Sequence, residues 1–477
     1  MKNIVLILLL LVFPYFVISQ NDKFTDEIVI LHVNDIHGRI DQFPTLSAMV
    51  NEIRAKHKNV ILVSAGDMFS GNPIIDRYSE KGFPIIDLMN DLNFDLSTIG
   101  NHEFDFGTQV LAKRIKEAKF PFIVANMQPK IEDFPKLEPY KIYKFGKAKI
   151  AILGITQVLP IGIPDTRPEN CQDFIFTQGI EKTKEYKWLS KKTNALIALS
   201  HMGVYNDSLL ATQMPEVLAI IGGHSHTLLL KPLIVNGVSI VQTGYYLKNL
   251  GVLTIKLNGK KIVSVSDTLL LLKNYSEKDS LVAKKVAHYN NNNEFKEIVG
   301  FLDSPLNGLN ELGGFMADAA LKAAKTDFAF QNSGGIRVLG LPAGPITNKQ
   351  IYELDPFANE IMVCKMTATQ IRELITYGYI KEKKADMISS GLNSIIYLNN
   401  DKSIDKIELK LPNGDAIDEN IVYATAINSY VVSSYKFSKT GSVVRTGITT
   451  TDAIFRLMST IKGVNYSGIE SAKTITK

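Results

Sequence analysis

Ile99-Gly100-Asn101-His102-Glu103-Phe104-Asp105 follows a short apolar run that begins at Phe94, and the rest of the chain is best read outward from it. Phe94 to Ile99 reads as a buried strand, and Gly100 is where such a strand turns. Beyond the turn, Asn101 offers a neutral oxygen, His102 an acid or electrophile, and Asp105 a carboxylate that can orient the imidazole. A single stretch of this kind is usually only a turn. It gains meaning if other strand ends carry matching groups.

Four of them do. Asn34-Asp35-Ile36-His37-Gly38 follows the strand ending at Val33, and extended backbone there would point Asp35 and His37 the same way. Gly66-Asp67-Met68-Phe69-Ser70-Gly71 follows Val63. Ser200-His201-Met202-Gly203 follows Leu199, and Gly222-Gly223-His224-Ser225-His226-Thr227 follows Ile221. Five of the eight histidines fall in these motifs, whereas His32, His57 and His288 read as ordinary structural residues. In open α/β sheets ligands converge at the carboxyl ends of strands, so these motifs are read together as one site.

The surrounding pattern suits that fold class. From Glu27 to about Lys273, short strands rich in Ile, Val and Leu alternate with helical stretches at Phe43–His57, Pro84–Leu92 and Val110–Ala118. Gly237–Ile255 reads as hairpin strands, and Lys256–Leu272 as a strand pair turning at Gly259. The character changes at Ser276, where a polar helical pattern runs into an asparagine tract, Asn290 to Asn293. The expected division is a signal peptide at 1–19, a catalytic domain at 20–273, a linker helix at 274–295 and a second α/β domain at 296–477. In the last, helices are expected at Gly313–Ala324 and Thr367–Tyr377. Strands are expected at Phe328–Gln331, Ser394–Leu398, Lys406–Leu411 and Ile421–Ala426.

Composition narrows the class further. At 477 residues the chain exceeds one ordinary core. A net charge of +5 without a dense Lys/Arg block excludes a nucleic-acid polymer as the expected partner. Lys2 followed by an apolar run from Ile4 to Ile18 reads as a cleaved export signal. The run is about 15 residues, against the roughly 20 that span a bilayer. The mature chain is therefore expected to begin near Gln20, to lack a membrane span and to work outside the cytoplasm, periplasmic or secreted. Cys171 and Cys364, the only cysteines, are expected in different domains as buried, unpaired thiols.

The motifs hold Asp, Asn and His and no thiolate, a donor set for manganese, iron, zinc or cobalt rather than a structural zinc cluster. Seven groups exceed what one ion needs, which implies two divalent ions bridged by a carboxylate. Asp67, alone in its motif, is the natural bridge. Two such ions can hold a bridging hydroxide for in-line attack on a phosphoester.

In order, Asp-x-His, Gly-Asp, Gly-Asn-His-Glu, Ser-His and Gly-His-x-His resemble the binuclear calcineurin-like metallophosphoesterases. The fuller forms, Asn-Asp-Ile-His-Gly, Gly-Asn-His-Glu-Phe-Asp and Gly-Gly-His-Ser-His-Thr, resemble the exported 5′-nucleotidase/UDP-sugar hydrolase family. Gln331-Asn332-Ser333-Gly334-Gly335-Ile336-Arg337 is similar to that family's Asn-Gly-Gly-Gly-Ile-Arg motif. The resemblance implies an N-terminal α/β/β/α sandwich and a separate C-terminal α/β substrate-binding domain. It implies one ion on Asp35, His37, Asp67 and His226, and another on Asp67, Asn101, His201 and His224. His102 would stabilise the phosphoryl charge while Asp105 holds its ring. Glu103 receives no role. Asn332, Gly334, Gly335, Arg337 and Tyr430 would meet a nucleotide, Arg337 by forking onto phosphate.

The chain departs from the pattern near its C-terminus. Asn428-Ser429-Tyr430 keeps one stacking ring, but Ser433-Ser434-Tyr435-Lys436-Phe437 stands where the family carries Gly-Gly-Asp-Gly. Before Ser390-Gly391 there are Asp386 and Met387 and no ring. The activity expected from the resemblance is 5′-nucleotide hydrolysis to nucleoside and phosphate. The alternatives are a UDP-sugar or 2′,3′-cyclic nucleotide substrate, or an exported binding protein without turnover.

Overall fold

The computed structural model describes residues 26–460, 465, 466, 468 and 470–476, so the expected signal segment lies outside the described residues. Two six-stranded sheets make the N-terminal half. In the first, strands Lys261–Leu271, Asn249–Asn258, Asp26–Val33, Val60–Ser64, Leu96–Thr98 and Phe122–Ile123 lie side by side. The last four run parallel. The second sheet has the order Leu233–Val235, Val238–Val241, Ala219–Ile221, Ala195–His201, Ala148–Thr156, Tyr140–Phe145, with a parallel centre and antiparallel edges.

Strand alternation sorts the side chains into layers. Ile28 and Ile30 join Ile152, Ile197 and Leu199 in a core between the sheets. Val29, Leu31 and Val33 point the other way, onto Leu46, Met49 and Val50 of helix Phe43–Lys56. On the far side Leu153, Ala198 and Ile220 pack against Leu210 and Ala211 of helix Val204–Gln213. The result is the four-layered α/β/β/α sandwich expected from the resemblance. Parallel strands that share a direction also bring Val33, Ser64 and Thr98 in one sheet, and His201 and Ile221 in the other, to the rims where the motifs begin.

One strand reading is corrected. Gly237–Ile255 is not a hairpin. Val238–Val241 pairs antiparallel with Leu233–Val235, and the chain then crosses to the other sheet, where Asn249–Asn258 pairs with Lys261–Leu271. Gly259 does turn that second pair, with φ at +63°. The error came from the apolar run continuing through a connection that changes sheets.

Helix Ser280–Asn290 is capped by Asp279, whose carboxylate accepts from the backbone of Leu281 and Val282. Its Val282, Val286 and Tyr289 belong to the same core as helix Phe43–Lys56, and the asparagine tract ends it. Beyond lies a five-stranded sheet ordered Met387–Ser390, Phe328–Asn332, Tyr423–Asn428, Glu360–Met366, Thr440–Thr449. Helix Gly308–Ala324 covers one face through Phe315 and Ala319, and helix Ala368–Glu382 the other through Ile371 and Leu374. The latter helix opens with a capping box, Thr367 with Gln370. Strands Glu360–Met366 and Thr440–Thr449 escape a sequence reading because neither carries a clean apolar alternation. Cys171 and Cys364 are buried and unpaired, in the cores of different halves. No helix among the described residues is long and apolar enough to cross a membrane.

Candidate metal centre and the cleft above it

All seven expected ligands meet at the rim of the two sheets. Asp35, His37 and His226 form one group of converging donor atoms, and Asp67, His201 and His224 another. Asp67 also lies 3.8 Å from His37 Nε2, so its carboxylate stands between the two groups. Asn101 Oδ1 sits 2.9 Å from His224 Nδ1.

The backbone delivers these side chains in an unexpected way. Asp35 and His37 converge through left-handed turns, with φ of 51° and 50°, and not through extended alternation. Asp67, His224 and His226 are left-handed as well, at 55°, 74° and 54°. Non-glycine residues adopt this region at a cost of about 1–2 kcal/mol each, so the surrounding structure must hold them there. Glycines let the loops nest: a Cβ on Gly100 would lie 2.2 Å from Asp67 Oδ1.

The unassigned residue of the opening stretch supplies much of that hold. Glu103 is fully buried, and its carboxylate accepts from the backbone N–H groups of Asp67, Met68, Phe69 and Gly100 at 2.6 to 3.2 Å. It ties the Asp67 loop to the Asn101 loop. Burial and the neighbouring Asp67 charge push its pKa up to about 7, against the pull of those donors. Its partners are backbone groups of two loops, so no side-chain pattern in the sequence marks it.

The donors fit divalent ions. His37 Nδ1 faces the Ser70 carbonyl at 3.2 Å and His201 Nδ1 the Ala65 carbonyl at 2.6 Å, which turns each Nε2 inward. His201 Nε2 has no hydrogen-bond partner although Asp67 Oδ2 is only 3.0 Å away, and His37 Nε2 faces His226 Nε2 at 3.0 Å. Lone pairs aimed at one another and at carboxylates form a cation cradle. Burial, and then the Arg337 charge, hold His37 well below the usual imidazole pKa. Burial and His201 lower His224 to about 4. His201 goes the other way: burial opposes its charge, but Asp67 outweighs it and carries the pKa up to about 10, so a cation there would take the place of a proton shared with Asp67.

His102 stands beside this cradle. Its Nδ1 meets Asp105 Oδ2 at 2.6 Å, and its backbone N–H donates to Asp67 Oδ1 at 2.9 Å. Asp105 also accepts from Ser70 Oγ and from Thr166 Oγ1. Burial works against a charged ring, but Asp105 and Asp67 outweigh it and carry the His102 pKa up to about 9. A cationic imidazole held at that position can neutralise charge growing on a phosphoryl group.

The second domain closes the other side of a cleft of about 1130 Å³. Arg337 Nη2 reaches to 3.0 Å from His37 Nε2, and the Phe357 ring stacks on His102 at 5.6 Å. Tyr430 lines the cleft with its hydroxyl on Asp165. Gly334 is exposed to the cleft, whereas Gly335 is buried, and a Cβ there would meet Gln331 Nε2 at 2.3 Å. Asn332 has its Oδ1 engaged by Asn428 at 2.9 Å. Lys436 belongs to a different groove, with Arg372 and Phe437. Asp386 is buried, accepting from the backbone and hydroxyl of Ser333 and from the Tyr435 hydroxyl. Sequence reasoning missed Phe357, Asp165 and Lys381, whose neighbours in the cleft come from the other half of the chain.

The calcineurin-like phosphoesterase profile matches residues 28–228, and the 5′-nucleotidase C-terminal domain profile matches residues 298–436. The chain belongs to the 5′-nucleotidase family. A 5′-nucleotidase of Vibrio cholerae is 29% identical over 435 residues, covering 75% of this chain and 76% of that protein. The trifunctional nucleotide phosphoesterase YfkN of Bacillus subtilis is 28% identical over 85% of this chain, which spans only 32% of that longer relative. Among solved structures, a 5′-nucleotidase precursor of Thermus thermophilus superposes with a TM-score of 0.82 at 23% identity. That match covers 94% of this chain and 99% of the other, and it shows the shared two-domain fold.

Proposed function

We propose that this 5′-nucleotidase family member is a phosphoric monoester hydrolase that converts 5′-nucleotides to nucleoside and phosphate, outside the cytoplasm. The observation that carries the reading is Asp67, shared between two donor groups and hydrogen-bonded to the backbone of His102. Bound divalent ions at such a pair supply Lewis-acid polarisation of phosphoryl oxygens and an activated water. The chain's own residues do the rest. Arg337 offers a fork to the phosphate, and Asp105 fixes the His102 ring so that its free Nε2 can donate to charge developing on the phosphoryl oxygens. The Phe357 ring over His102 excludes water from that face. A binding protein without turnover has no use for the His102–Asp105 pair.

The test is release of phosphate from AMP and UMP by the purified chain with Mn²⁺. Turnover is expected to disappear in Asp67→Ala and His102→Ala. Failure on every nucleotide, nucleotide sugar and cyclic nucleotide would refute the reading. A second reading keeps the centre and changes the leaving group to a UDP-sugar or a 2′,3′-cyclic nucleotide. It is favoured by the altered C-terminal segment: Lys436, in the stretch where the family carries Gly-Gly-Asp-Gly, lies outside the cleft, and Asp386 is taken by Ser333 and Tyr435. Relative kcat/KM across that panel decides between the two. Export is tested by N-terminal sequencing of the protein recovered from outside the cell, expected to start near Gln20.

A further inference from the structure

Three consecutive residues, Asp165-Thr166-Arg167, touch both domains and both parts of the centre. They lie in the connection between strands Ala148–Thr156 and Phe174–Phe176. Two side chains reach outward. The Asp165 carboxylate takes the Lys381 ammonium at 2.9 Å and the Tyr430 hydroxyl, from residues 216 and 265 positions away. Arg167 Nη2 donates to the Phe357 carbonyl at 3.1 Å and to Asn359 Oδ1 at 2.8 Å. Two other groups reach inward. The Asp165 carbonyl accepts from Asn101 Nδ2 at 3.1 Å, and Thr166 Oγ1 donates to Asp105 Oδ1 at 3.0 Å.

The outward contacts are strong enough to matter. The Lys381 and Asp165 side chains are only 18% and 14% exposed, so the pair is shielded from water, and removing one partner strands a buried charge. Opening the cleft would relieve that charge by hydrating it. The inward contacts turn the Asn101 carboxamide so that its oxygen, and not its nitrogen, faces His224, and they fix how Asp105 sits. Because the outward and inward contacts alternate on three adjacent residues, a shift that releases Asp165 or Arg167 also moves the Asp165 carbonyl and Thr166.

We propose that Asp165-Thr166-Arg167 is a positioning strip, through which docking of the second domain sets the metal ligand Asn101 and the His102–Asp105 pair in their working geometry. It deepens the nucleotidase reading, on which its catalytic meaning rests. A separated second domain would leave the centre slack, and a docked one would tighten it.

The experiment has an arm that needs no turnover. Dyes on Lys147→Cys and Asn400→Cys, one exposed position in each domain, report docking in the full chain by energy transfer, while native Cys171 and Cys364 are buried. Lys381→Met and Arg167→Met should lower the transfer and raise the Kd of the weaker Mn²⁺ about tenfold or more. Asp165→Asn, which keeps the shape, should do the same, and Lys381→Arg should leave both readouts unchanged. Thr166→Val should leave transfer unchanged but cut kcat about tenfold at constant KM, with Thr166→Ser restoring it. Unchanged transfer in the Lys381→Met and Asp165→Asn variants overturns the proposal. So does undocking that leaves Mn²⁺ affinity untouched. A wild-type chain that hydrolyses no phosphoester refutes the proposed function, and docking with Mn²⁺ affinity still decides the strip.

Discussion

Two buried carboxylates, one in each half, hold backbone in place by the same chemistry and to different ends. Glu103 accepts four N–H groups and knits two ligand loops together. Asp386 accepts one N–H and two hydroxyls, and it fixes the start of the Ser333–Gly335 turn beneath the cleft. The first half therefore spends its buried charge on the geometry of the centre, and the second half on the shape of the wall that faces it.

That contrast can be broken by substitution. Glu103→Ala strands four N–H donors, at about 1–3 kcal/mol for each left without water, and should abolish turnover and Mn²⁺ binding together. Calorimetry and denaturant unfolding would check it, and a Glu103→Ala chain with intact metal affinity would erase the distinction. Arg337→Lys, which keeps the charge and loses the fork, should lower kcat/KM by about tenfold to a hundredfold in steady-state assays on AMP. Mn²⁺ at a hundred times its Kd should stabilise the first half by about 2.7 kcal/mol for each ion bound, and the second half only by the smaller amount that docking transmits, about 1.4 kcal/mol for a tenfold coupling. Scanning calorimetry with and without chelator would show whether the halves respond separately. The smallest effect is expected of Asp386→Asn, which keeps an acceptor for Ser333. It should change the ratio of kcat/KM between AMP and UMP by about fivefold or less, with kcat held within about twofold.

The same contrast explains what could be read from the sequence. The convergence of the candidate ligands is legible because each sits in a motif of a few residues directly after an apolar strand, and parallel strands bring their ends together without further instruction. Their left-handed backbone was not legible, since Asp35, His37, His224 and His226 are non-glycine residues held there by contacts remote in sequence. Glu103 was passed over because its partners are backbone groups, which no side-chain pattern announces. In the second domain Arg337 stood out through its glycine-flanked motif. Phe357 and Lys381 look like core and surface residues until helix Ala368–Glu382 and the 355–359 segment are placed against the other domain. The hairpin misreading at Gly237–Ile255 has a related cause: apolar character persists through a connection that leaves one sheet for the other.

The left-handed ligands carry one more consequence. Five of the candidate ligands, Asp35, His37, Asp67, His224 and His226, sit on backbone that glycine would occupy more comfortably, so the chain stores tension at those positions. Selection for heat resistance alone would drift toward glycine there, gaining stability while dismantling the centre. The rim is in that sense a cocked trap, held by the contacts of the loops that surround it.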